Sequence, residues 1–224
     1  MRESLLTIPI NEIFEPKCGC PICRMRDMLE GRTVEYIMGA AMMEPDVRLE
    51  TNKLGFCNTH FRQMLKQKNR LSLALMLQTH IEECGGCLNE RKGIFMPKKQ
   101  RKISEINSSC FVCSKVDWGM ERLMVTFFEM LGDESFRRLF SEQEYICMPH
   151  YDLLSTLAPQ MIRKTELRGF TEQLERLTKN GIDRLYADVS KFCSMYDYRS
   201  ADADWDGSED AIERSVVFLT GREP

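Results

Sequence analysis

The sequence predicts a mainly α-helical fold made of two similar lobes, and three observations lead there. Apolar residues recur at helical spacing along most of the chain. Convincing period-two alternation, the mark of half-buried strands, is absent. The third observation is a repeat. Cys20-Pro21-Ile22-Cys23 is followed by Gly55-Phe56-Cys57-Asn58-Thr59-His60-Phe61, and Cys110-Phe111-Val112-Cys113 by Tyr145-Ile146-Cys147-Met148-Pro149-His150-Tyr151. Cys57 follows Cys20, and Cys147 follows Cys110, by the same 37 positions, and the second set lies 90 positions after the first. Arg48 and Arg138, Leu49 and Leu139, and Phe61 and Tyr151 keep the same offset. Only three histidines exist, and two of them occupy this one repeated place. Duplication of a single unit accounts for all of this.

The expected elements follow from the repeat. Helices over 24–38 and 114–131 each come after a Cys-x2-Cys turn, and helices over 58–66 and 149–157 begin at the second Cys/His pair. Helices over 72–83 and 165–179 take comparable places, with Gly85-Gly86 ending the former and Asn180-Gly181 capping the latter. Another helix is expected over 183–192 and a short one over 211–219, whose Val216, Val217 and Leu219 suit docking onto the body or a partner. The domain reading is a first lobe over 1–95, a second over 103–195 and a C-terminal docking tail over 196–224.

The repeated residues carry a definite chemistry. Zinc takes four tetrahedral ligands from thiolate and imidazole, and Cys-x2-Cys lets two sulfurs converge from one short segment. A Cys-x2-His pair must then be brought up by the fold. The roughly thirty residues between them suffice for a helical hairpin that goes out and returns. The expected centres are therefore Cys20, Cys23, Cys57 and His60 in the first lobe, and Cys110, Cys113, Cys147 and His150 in the second. Four protein ligands leave no open position for water, which marks structural rather than hydrolytic zinc.

Rival readings explain less. Buried free cysteines are common in cores, but they do not explain repeated spacing and repeated ligand type. A thioredoxin-like dithiol expects a βαβ pattern and leaves Cys57, His60, Cys147 and His150 unused. An iron–sulfur cluster fits the cysteine count, since His can replace Cys on iron; spacing does not exclude it. His80, Cys84 and Cys87 suggest a third site, with Cys18 or Cys193 as fourth ligand. Their counterparts Phe170, Leu174 and Leu177 are apolar, which favours a satisfied buried histidine.

Composition narrows the function. The 224 residues carry a net charge of -3 with pI about 5.8, so no global basic field draws the chain to nucleic acid. The one basic run, 91–102, holds six positive charges and is read as a solvated linker. No apolar run reaches the roughly 18 residues a membrane span requires. The start, with Glu3, Glu12 and Glu15, does not resemble a secretory signal. Ten cysteines in a chain read as cytoplasmic suggest metal rather than disulfides. Met42, Met43, Met64 and Met76, among fifteen methionines, are read as flexible core fillers.

A resemblance supports this reading. Met42-Met43-Glu44-Pro45-Asp46-Val47-Arg48-Leu49-Glu50-Thr51-Asn52, followed by Gly55 to His60, is similar to an uncharacterised bacterial domain-of-unknown-function family, number 6062. Asn69-Arg70-Leu71, Leu75 to His80 and Tyr196-Asp197-Tyr198-Arg199 fit the same family. The resemblance implies a cytoplasmic, cysteine-rich protein of anaerobe-type bacteria, and it supplies no established activity.

The leading expectation is a structural, interaction or regulatory protein holding two zinc ions and presenting a surface to a protein partner. An iron–sulfur or thiol-based redox protein is the alternative. An enzyme ranks third; Glu44, Asp46 and Arg48, with Asn69, Arg70 and His80, are the only polar group to suspect, and no triad, phosphate loop or HExxH-type motif supports it. The oligomeric state is open.

Overall fold

The structure is a computed structural model that describes residues 7–89, 96–197, 199 and 203–222. Every long regular element among them is an α-helix: α1 (Thr7–Phe14), α2 (Pro21–Met38), α3 (Pro45–Leu54), α4 (Asn58–Lys66), α5 (Arg70–Asn89), α6 (Met96–Ser108), α7 (Phe111–Met130), α8 (Glu134–Ser141), α9 (Met148–Met161), α10 (Lys164–Ser194) and α11 (Ala211–Thr220), with a 3-10 turn at Ala40–Met43. The order long, short, ligand-bearing, long occurs twice, as α2 to α5 and as α7 to α10. No helix among the described residues is long and apolar enough to cross a membrane. Residues 91–95 of the basic run lie outside the described residues; Lys102, at its end, pairs with Glu83 at 3.0 Å.

The chain divides into two compact units, one of Met1–Met25 with Arg122–Pro224 and one of Arg26–Glu121. The boundary therefore falls inside α2 and inside α7. The first unit has an aromatic core. Phe14 of α1 packs on Phe127 and Phe136, with ring centroids 5.8 and 5.1 Å apart, and Phe140 stacks on Phe170 at 5.6 Å. Offset and tilted ring pairs of this kind add about 0.5–1.5 kcal/mol beyond burial alone.

In this unit α11 docks against α9 and α10. Ala211 and Phe218 are its buried residues, whereas Leu219 is 63% exposed, so the docking face is not the one its Val216, Val217 and Leu219 suggest. Residues 165–192 were expected to break at Asn180-Gly181, yet α10 runs through them as one helix. Gly181 is buried, and a Cβ there would lie 2.7 Å from Phe218 and 2.8 Å from Tyr145. The glycine serves close packing rather than a stop.

The second unit has a methionine-rich core in which Met38, Met42, Met64 and Met76 pack with Val34, Ile37, Leu73 and Phe111. Unbranched thioethers fill irregular gaps between short helices well. Met43, expected among them, is instead 69% exposed, because it ends the 3-10 turn. Helix α5 also passes through its expected stop at Gly85-Gly86 to Asn89; α6 packs along it and offsets the low helix propensity of glycine.

Candidate metal centres

All four ligand pairs are built alike, each at a helix N-terminus. Cys57 and Cys147 are the N-cap residues of α4 and α9, with φ/ψ of -73/165 and -71/161. Cys20 and Cys110 immediately precede α2 and α7, and their carbonyls accept from Arg24 N and Ser114 N in the first helical bonds. The partner in each pair, Cys23, His60, Cys113 or His150, sits three positions on and therefore one turn into the helix. None of these four helices carries an acidic residue in its first turn, whereas α3, α8, α10 and α11 do. Thiolates there take the favourable place beside the positive helix end that carboxylates take elsewhere.

The side chains converge in two groups, and their pairing corrects the expectation. Cys20 and Cys23 meet Cys147 and His150; Cys57 and His60 meet Cys110 and Cys113. Each compact unit holds one group, but neither joins the ligand pairs that are consecutive within one repeat. The long helices α2 (18 residues) and α7 (20 residues) each separate a Cys-x2-Cys turn from the Cys-x2-His turn that follows it in sequence.

The two groups fit a single four-coordinate ion. Bonds of ~2.3 Å to sulfur and ~2.0–2.1 Å to nitrogen at tetrahedral angles set edges of about 3.8 Å (S···S) and 3.6 Å (S···N). In the first group Cys23 and Cys147 sulfurs are 3.6 Å apart, and His150 Nδ1 lies 3.5, 3.3 and 3.1 Å from Cys20, Cys23 and Cys147. In the second, Cys57 and Cys113 are 3.9 Å apart, and His60 Nδ1 lies 3.1, 3.2 and 3.5 Å from Cys57, Cys110 and Cys113. Within each group all donor atoms lie within 4.8 Å of one another. Both histidines present Nδ1, and all ten cysteines are free thiols.

Electrostatics shows what these donors need. In the second group burial is the largest influence on Cys110 and opposes its thiolate, but the His60 hydrogen bond, backbone hydrogen bonds at Cys113 and Cys57 and the His60 charge together bring that thiol down to about 6. Cys113 is pushed up to about 12, first by burial and then by the charge of Cys110. In the first group Cys20 lies well below the usual thiol range: burial opposes its ionisation, and hydrogen bonds from Cys147, Cys23 and His150 prevail. Cys23 is pushed up, chiefly by its contact with Cys147, and Cys147 rises to about 12, chiefly through Cys20. Cys20 and Cys110 ionise readily while Cys23, Cys147 and Cys113 resist, because like charges crowd in a buried space. A bound divalent cation removes that conflict.

The surroundings differ. The first group is buried throughout, and the turn after α11 closes over it: the Gly221 carbonyl lies 3.8 Å from Cys23 Sγ. Arg24 donates to Ile13 O at 2.6 Å and to Cys18 Sγ at 2.9 Å, holding the loop before Cys20, while Gly19 N donates to Glu144 at 2.6 Å. In the second group Cys57 and Cys113 are half-buried. Its two ligand loops hydrogen-bond directly through Phe111 N to Gly55 O at 2.9 Å. Gly55 has φ 60, and a Cβ there would sit 2.9 Å from the His80 ring, so glycine is required on both counts.

That contact accounts for His80. Its Nδ1–H donates to Asn52 O at 3.0 Å, and Cys84 Sγ is 3.9 Å from its Nε2. His80, Cys84 and Cys87 do not form a metal-capable group; the two fourfold groups are the ones found among the described residues. Of the polar group suspected of catalysis, Arg48 and Asn69, like His80, are engaged in structural bonds. Arg48 donates to Leu75 O, Thr79 Oγ1 and Met42 O. Asn69 donates to Met38 O and accepts from Ser72 N.

One contributor escaped the sequence reading. Glu30 Oε1 lies 3.7 Å from His60 Nε2, and Gln63 Nε2 donates to Glu30 Oε2 at 3.0 Å. The offset of 90 gives no hint of it, since Met120 stands at the corresponding position.

The chain, helical among its described residues and carrying two metal-capable Cys/His groups, belongs to a recognised protein family. That family is described as a family of unknown function (DUF6062), and its match runs over residues 1–224. No curated protein and no solved structure matches the chain.

Proposed function

We propose that the protein is a zinc-stabilised scaffold with two structural Cys3His centres, arisen by duplication of one unit, whose working surface lies away from the metals. The observation that carries this is the closure of both centres: each sets three sulfurs and one imidazole nitrogen within 4.8 Å, which fills a tetrahedral sphere and leaves no position for substrate or water. A multinuclear iron–sulfur cluster would have to fit several irons and sulfides between the same thiolates, and the spacing suits one ion. When bound, the ion supplies charge and cross-linking. The chain's own residues supply the orientation, through N-cap turns that aim each pair, and the exclusion of water. For partner contact, Asp46 in the first turn of α3 and the 56% exposed Tyr36 line one shallow depression. Free thiols throughout suit a reducing compartment.

Elemental analysis of protein purified without added metal tests the reading. Two zinc ions per chain and no visible absorbance are expected. Metal far below two per chain, or a coloured protein carrying iron, would overturn it.

A further inference from the structure

We infer that Glu30 is a positioning residue of the second centre, accepting a hydrogen bond from His60 Nε2–H and thereby strengthening metal retention there. The inference rests on the metal reading above. His60 turns Nδ1 to its three sulfurs at 3.1–3.5 Å, so Nε2 points away from the centre. That nitrogen is fully buried and has no hydrogen-bond partner within normal reach. The nearest carboxylate oxygen, Glu30 Oε1, is 3.7 Å away, a gap that a small side-chain shift closes.

Glu30 is held for this task from two directions. Its side chain is 14% exposed. Arg26, one helical turn earlier on α2, approaches the same Oε1 at 3.4 Å, and Gln63 fixes Oε2 at 3.0 Å. Gln63 and His60 are three positions apart on α4 and share a face. Thus α2 offers an anchored carboxylate to the face of α4 that offers the imidazole, and all four residues belong to one compact unit.

The chemistry follows from the ligand's two nitrogens. A metal on Nδ1 leaves the proton on Nε2 and makes it a better donor. A fixed acceptor there sets the tautomer, locks the ring and raises the ligand's basicity, and losing such a partner typically costs 10–100-fold in metal affinity. The neighbouring Arg26 offsets the extra negative charge beside three thiolates. The described ion pairs give His150 no such carboxylate, and Met120 occupies the position of Glu30 in the second repeat. Glu30 therefore supports the centre whose Cys57 and Cys113 are the more exposed.

The test uses the zinc-loaded full chain, a chromophoric chelator in competition, and 15N resonances of His60 and His150 as separate reporters of the two centres. Glu30→Gln should release one of two zinc ions at 10–100-fold lower chelator strength. It should also shift the His60 Nε2 signal and leave His150 and the other ion unchanged. Gln63→Leu, which frees one Glu30 oxygen without touching the ligand, should weaken the same centre less, so the inference does not depend on one variant folding. If both variants keep wild-type retention and an unshifted His60 signal while the native protein holds two zinc ions, the role of Glu30 is overturned and the metal reading stands. If the native protein holds no metal, both fall together.

Discussion

The two centres use the same donors at the same helix positions, yet they solve the problem of enclosing a charged site differently. The first is enclosed by protein: Cys20, Cys23, Cys147 and His150 are each at most 9% exposed, and the chain beyond α11 covers Cys23. The second leaves Cys57 and Cys113 half-buried and relies on connection instead, through the Phe111 to Gly55 backbone bond and the Glu30 carboxylate behind His60. Burial raises the cost of unpaired thiolates, so a cation bound at the first centre would relieve the greater conflict. Directed hydrogen bonds hold the second in shape even where water approaches. Once ligand geometry is set locally by an N-cap turn, the enclosure around it is free to differ.

The largest expected effect comes from removing one ligand. Metal binding contributes as much as ~10–16 kcal/mol to folding in small zinc-finger units, and a larger unit with its own core depends on it less. Cys147→Ser should lower hydrogen-exchange protection across residues 7–25 and 122–222, and Cys57→Ser across 26–121. Equal loss in both units from either variant would contradict independent centres. Because the first centre is the more buried, Cys147→Ser should be the more damaging of the two.

The sequence made the eight donors legible because a Cys-x2-Cys turn and a Cys-x2-His turn each place two donors on one helix start, a purely local property. Pairing was not legible from spacing, since a repeat of fixed period is equally consistent with pairing within repeats or across them. What decides it is which segments each compact unit brings together, and the bounds of α3 were not read from the pattern at all. Helix α4 was legible to the residue, since Cys57 caps it and Gln67 ends it. The reading of Asn180-Gly181 as a stop failed because the signal for a C-cap and the signal for a tight helix crossing are the same glycine. Glu30 was invisible for a related reason: it follows Cys20 by ten positions yet serves the other centre.

A smaller effect sharpens the contrast in enclosure. Gly181→Ala would force a Cβ against Phe218 and Tyr145, and overpacking of this kind costs about 1–3 kcal/mol. Gly169, on the same helix, has nothing within 4 Å of a Cβ, so Gly169→Ala should stabilise by about 0.4–1 kcal/mol. Thermal melts of the two variants should therefore move in opposite directions. A rise in melting temperature for Gly181→Ala would show that α11 does not pack on α10 as described, and that the first centre is less enclosed than the second.

The pairing itself is tested most directly by metal content in double variants. In Cys57→Ser with Cys110→Ser both lost ligands belong to the second group, so the chain should keep one zinc ion, held by Cys20, Cys23, Cys147 and His150. In Cys20→Ser with Cys57→Ser each group loses a ligand, and the chain should keep none. The reverse result, one ion in the Cys20/Cys57 variant and none in the Cys57/Cys110 variant, would mean that each repeat closes its own site and would contradict the crossed arrangement.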